Sequence, residues 1–171
     1  MKILHSLRSM TLAALVLLTL VIAPVMQTAQ AAVQYTTTHR SAAMTDLVTA
    51  IGSTGALMIL TGTQPASVAT VDSGTVLAVL PLSATAGTVS NGVLTFNAIT
   101  SAAAVATGTA AHFLICTTNN TANCVAVSST TRVIQGSVGT SGADLNFSAG
   151  VAFTSGVTIN VSSLTLTATG A

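Results

Sequence analysis

The final run of the chain carries the clearest alternation of apolar and polar positions. In residues 157–168, Val157, Ile159 and Val161 alternate with Thr158, Asn160 and Ser162, which puts apolar side chains on one face of a strand and polar ones on the other. Leu164, Leu166 and Ala168 continue the apolar set with the opposite parity, so an unbroken strand would turn inside out after Ser162 and Ser163. The pattern predicts either a β-bulge at the two serines or a bend that sends the second half into another sheet.

Upstream, the period changes once. Met44, Leu47, Val48 and Ile51 form one stripe of a helix, with Ser41 as a candidate N-cap, Asp46 in the early turns and Gly52 and Gly55 as the stop. Residues 32–40 before it read as a short polar leader. From Ala56 onward, strands and turns alternate: 57–60, 75–80 (apolar on both faces, hence central), 93–99 after an Asn91-Gly92 turn, 108–116, 124–127, 132–136, 143–147 and the final run. Residues 100–106 have no clear period. The expected fold is all-β, an antiparallel β-sandwich of about eight strands with one short N-terminal helix, in a single domain spanning 41–171.

Composition fits this picture. Half the residues are apolar and only 4 % are charged, with no glutamate and no Trp, so the core must be aliphatic. High hydropathy excludes disorder, and the abundant Thr, Ser, Gly and Asn suit strand faces and turns. At the N-terminus, Lys2 and Arg8 precede an apolar stretch over 10–25 and the small-residue end Ala29-Gln-Ala31, the three parts of a secretory signal peptide cleaved between Ala31 and Ala32. Export to the periplasm, cell surface or medium follows, with membrane contact only through an uncleaved signal. Beyond Ala31, Arg40 and Arg132 against Asp46, Asp72 and Asp144 leave a net charge of −1 with His neutral. Without a basic patch, nucleic-acid binding is not expected.

The candidates for chemistry are few. Asp72 and Asp144 stand in turn contexts where carboxylates bond the backbone, and no serine lies in a Gly-x-Ser-x-Gly elbow. His112 and Cys116 would lie about 13 Å apart on a strand, too far to share a metal ion, and a lone strand histidine reads as a surface or half-buried residue. No catalytic, metal or cofactor set is expected. The sequons at Asn119, Asn146 and Asn160 are chance products of the composition. Cys116 and Cys124, at the base of a polar hairpin loop in an exported chain, are expected to form a disulfide.

Five stretches, Thr61-Gly-Thr-Gln-Pro-Ala66, Asp72-Ser-Gly-Thr-Val-Leu-Ala78, Asn97-Ala-Ile-Thr100, Ala106-Thr-Gly-Thr109 and above all Gly136-Ser-Val-Gly-Thr-Ser-Gly-Ala-Asp-Leu-Asn146, together make the chain from about Ser41 onward resemble small, poorly characterised tailed-phage and prophage proteins. The resemblance implies a β-rich, non-enzymatic virion component and brings no catalytic or ligand residues. The chain departs from it in the export signal and at Leu114, where a basic residue would be expected. A prophage gene recruited for export, or a true start near Ser41 that would keep the protein in the virion, reconciles the first departure. Two roles are therefore expected: a phage-derived structural protein that self-associates or docks on a protein lattice, or a surface adhesin or pilin-like subunit joined by strand addition. Both draw on strand edges that few charges protect.

Overall fold

In a computed structural model describing residues 34–125 and 131–168, the chain is predominantly β with two helices. The signal peptide expected over residues 1–31, with its expected cleavage between Ala31 and Ala32, lies outside the described residues. No described helix is long and apolar enough to cross a membrane.

Helix α1 spans Thr37–Ile51, one turn longer at its start than the sequence pattern indicates. Thr36, extended at φ −62° and ψ 155°, is the N-cap: its hydroxyl accepts the N–H of His39 and lies 2.8 Å from the His39 Nδ1. Ser41, expected at that position, is inside the helix, and its Oγ accepts the N–H of Gly92 at 3.0 Å. It therefore fastens the helix to a hairpin rather than starting it. The far end closes as expected, at Gly52 with φ 70° and its N–H on the Val48 carbonyl. Met44 and Ile51 are buried, and Leu47 and Val48 pack beside them on the main core.

Five strands form the principal sheet, in the order β2 (Val76–Pro81), β1 (Ala56–Leu60), β7 (His112–Cys116), β8 (Arg132–Gly139), β9 (Leu145–Asn146). All its pairings are antiparallel except β8 with β9, which is parallel. A purely antiparallel fold is thus not what forms. β3 (Gly87–Ser90) and β4 (Val93–Phe96) make the Asn91-Gly92 hairpin, with φ 52° and 78° at the two turn residues, the left-handed pair a two-residue type I′ connection needs. β12 (Thr165–Thr167) lies on the other side of β4.

Two short ladders complete the structure, β5 (Ala102–Ala103) with β11 (Thr158–Ile159) and β6 (Gly108–Thr109) with β10 (Ala152–Phe153). The parity switch at Ser162 and Ser163 is thereby explained. Ile159 and Val161 are buried beside β5, the chain bends, and Leu164 is buried where β12 joins a different sheet. The stretch 108–116 divides in the same way, β6 pairing with β10 and β7 with β1. Twelve strands result among the described residues instead of about eight, because several sequence-level strands each serve two sheets.

The 75–80 strand, expected to be central, is an edge of the five-stranded sheet. Its two-sided apolarity comes from its faces, Leu77 and Leu80 packing in the main core and Val76 and Val79 against the small cluster on the other side, while the 100–105 segment lies along its outer edge and donates from Val105 to the Leu77 carbonyl and from Thr100 to the Pro81 carbonyl. The true centre is β1 and β7, whose ten residues are all buried. Leu57, Ile59, Phe113 and Ile115 face the main core with Leu77, Leu80 and Leu94. Met58, Leu60, Leu114 and Cys116 point to the opposite face and meet Cys124.

Candidate functional site

The opposite face of the sheet holds nearly all the chain's buried polar chemistry. Two segments cover it: residues 61–75 between β1 and β2, and residues 117–125, which follow β7 and contain helix α2 (Thr121–Val125). The expected strand at 124–127 does not form at its start, because Cys124 and Val125 close this helix; residues 126–130 lie outside the described set.

Cys116 and Cys124 are joined by a disulfide, with Cα atoms 5.9 Å apart. The pairing is the expected one, but its scaffold differs: the cross-strand partner of Cys116 is Arg132, and the bridge runs from a strand end to a helix. Leu114, which departs from the phage-like pattern, lies in this small apolar cluster. A basic side chain there would be desolvated against Met58 and the bridge.

Arg132 opens β8 and is 3 % exposed. Its Nε donates to the Cys124 carbonyl at 2.9 Å, its Nη2 to the Val125 carbonyl at 2.7 Å and its Nη1 to the Thr70 carbonyl at 2.6 Å. No carboxylate pairs with it among the described residues. The guanidinium is held by three backbone acceptors instead, and its planar fork lets one side chain clasp both loops at once.

His112 opens β7 with no exposed surface, in contrast to the surface or half-buried position expected for it. Its Nε2 lies 2.7 Å from Asp72 Oδ2, and both side chains are fully buried. Asp72 Oδ1 accepts the N–H of Gly74 at 2.7 Å, the backbone bond expected of a turn carboxylate. The residue therefore links its own turn to the sheet. Gly74 has no room for a side chain, since a Cβ would collide with the Thr61 carbonyl and reach the His112 ring. Along the same face Gln135, opposite Leu114, donates from Nε2 to the Pro65 carbonyl at 2.8 Å.

Asp144 behaves similarly at the exposed end. Its Oδ2 accepts both the N–H and the hydroxyl of Ser137 on β8, at 2.8 and 2.7 Å. The backbone N–H of Ser137, then its hydroxyl, hold the Asp144 carboxyl below the usual carboxylate range against a small opposing effect of burial.

Chemically, this constellation fastens loops. A general base must reach a substrate proton, and the Asp72–His112 pair has no exposed side-chain surface through which to do so. The only two cysteines are bridged. Among the described residues no three His, Cys, Asp or Glu side chains come together as a metal site. His112 and Asp72 were both visible in the sequence as polar residues, yet their meeting across 40 positions was not. The available signal was the histidine's place in an otherwise apolar strand, where a polar group requires a partner.

No family model, no curated protein and no solved structure matches the chain.

Proposed function

We propose that the chain is an exported, non-enzymatic structural protein, a phage-derived, virion-like component that self-associates or docks on a larger protein assembly. The observation that carries this reading is the use made of the polar residues. Asp72, Arg132 and Asp144, and His112 through its Nε2, hold loops to the sheet, and among the described residues these polar side chains form no convergent exposed set for chemistry. In this reading the five-stranded sheet and the β3, β4, β12 sheet are the two layers of a sandwich with α1 on its side. The disulfide suits an oxidising compartment outside the cytoplasm.

A second reading, an adhesin or pilin-like subunit joined by strand addition, is favoured by one feature: β9 is an edge strand with no strand paired on its outer side among the described residues. Both readings require association. Light scattering on protein recovered from the periplasm or medium, with its intact mass measured, tests them. The expected result is a chain beginning at Ala32 that forms a defined multimer. A chain retaining residues 1–31 removes the export part of the reading, and a monomer at high concentration and moderate salt removes the assembly part.

A further inference from the structure

The outer edge of β9 borders a groove. Its other wall is the 160–165 segment, which crosses from β11 to β12. This part of the groove has a volume of about 250 Å³. It continues past Asn146 and Ser162 into a second part of about 420 Å³, reaching Phe147 and Phe153. These two rings are half-buried and meet edge to face, with centroids 5.2 Å apart.

Both walls offer unused backbone. Among the described residues β9 pairs with β8 on one side and with no strand on the other. Among the described residues, the N–H and C=O groups of Asn160, Val161, Ser162 and Ser163 have no backbone partner. Val161 is buried between exposed Asn160 and Ser162, an alternation that holds up to the bend at Ser162 and Ser163, so the backbone groups of residues 160–162 are directed along the plane of a sheet. Two extended walls with unpaired backbone and a space between them form an acceptor for one further strand.

We propose that this groove receives residues 32–36 of a second copy of the chain, adding a strand between β9 and the 160–165 segment. This rests on the assembly reading above and gives it a place in the fold. The donor is argued from its own features. In sequence Val33 and Tyr35 alternate with Gln34 and Thr36, the period of a strand. Gln34, Tyr35 and Thr36 are all exposed, Tyr35 at 58 %, and Thr36 is already extended. A five-residue strand spans about 17 Å. No charged side chain lies between Ala32 and Thr38, so after cleavage the donor's one charge is the α-ammonium of Ala32 at its end, and the one charged side chain of the groove, Asp144, already has its carboxylate engaged by Ser137. Tyr35 would bring its ring towards Phe147 and Phe153, where an aromatic residue gains most.

Two variants separate donor from acceptor. Tyr35→Asp spoils the donor and leaves the groove intact, whereas Ser162→Arg fills the groove and leaves the donor intact. Ser162 is exposed and lines both parts of the groove, so its replacement spares the core. Each full exported chain is first checked for an unchanged circular dichroism spectrum and melting temperature, then measured by light scattering. Each variant alone is expected to associate at least tenfold more weakly than the parent. Mixed one to one they should form a heterodimer and stop there, since the mixture holds only one good donor and one good groove. Undiminished multimers of both variants would overturn the groove while leaving the assembly reading standing. A monomeric parent would overturn both, and two weakened variants that fail to pair on mixing would overturn the donor assignment.

Discussion

The two faces of the five-stranded sheet are built by different physics. On the main-core face Leu57, Ile59, Phe113 and Ile115 pack against aliphatic side chains from the rest of the sheet, α1 and the second sheet, an arrangement that depends on volume and apolar area. On the other face the apolar cluster is small, and its cover consists of two loops with little apolar surface to bury. Directional bonds from Arg132, His112 and Gln135, together with one disulfide, hold those loops down. A chain with few charges has therefore concentrated buried polar groups where packing is thinnest. The comparison teaches that a buried Asp–His pair or a buried Arg in such a protein is first a fastener, and that its catalytic reading must be earned by exposure.

The largest effect is expected from Phe113→Ala. The ring is fully buried on the main-core face and lies over Gly136, where a Cβ would come within 2.6 Å of it. Its loss should cost about 3–5 kcal/mol in denaturant unfolding and lower the stability of the whole domain. Next comes Arg132→Ala, which orphans three carbonyls on two loops and should cost about 3 kcal/mol. Arg132→Lys should recover little of it, because a single ammonium cannot reproduce the planar fork.

The division between the faces was only half legible in the sequence. The apolar run at 57–60 indicates a buried strand, 108–116 a further strand, and the stripe of Met44, Leu47, Val48 and Ile51 the helix, because apolar periodicity reports burial directly; the burial of His112 on β7 is not legible in that pattern. Parity also marked the break at Ser162 and Ser163. The partner of each strand was less accessible. The 75–80 run looks central because both its faces are covered, yet a loop rather than a strand lies along its outer edge, and no local pattern reveals a long-range loop. The cysteine spacing indicated the bridge but not α2, since a five-residue helix has too few positions to show a period. The Arg132 clasp left no trace at all, because its acceptors are backbone carbonyls that any residue could supply.

Smaller effects sharpen the same comparison. Replacing both cysteines by alanine should cost about 2–3 kcal/mol on the chain-entropy account of so short a loop, with the loss centred on 117–125 rather than on the main core. Reductant should reproduce it in the parent chain and change nothing in the double variant. The smallest effect belongs to Asp144, whose carboxyl has a lowered pKa in the fold. Its contribution is complete above the pKa of the unfolded chain, near 3.8, and is lost as pH falls through the lower folded value. Asp144→Asn should lower stability slightly at neutral pH, where the carboxylate's contribution is complete, and converge with the parent as pH falls, so the acid end of its stability curve is flatter, as urea titrations between pH 2 and 6 would show.

The claim that the buried polar residues are fasteners for one face is tested most directly by native-state hydrogen exchange on the Arg132→Ala chain. The account predicts that amides of residues 61–75 and of the 117–125 segment lose protection by two orders of magnitude or more. Those of β1 and β7 should fall only as far as global stability falls. Equal loss across both loops and both central strands would contradict it, because the two faces would then be a single cooperative unit with no separately fastened layer.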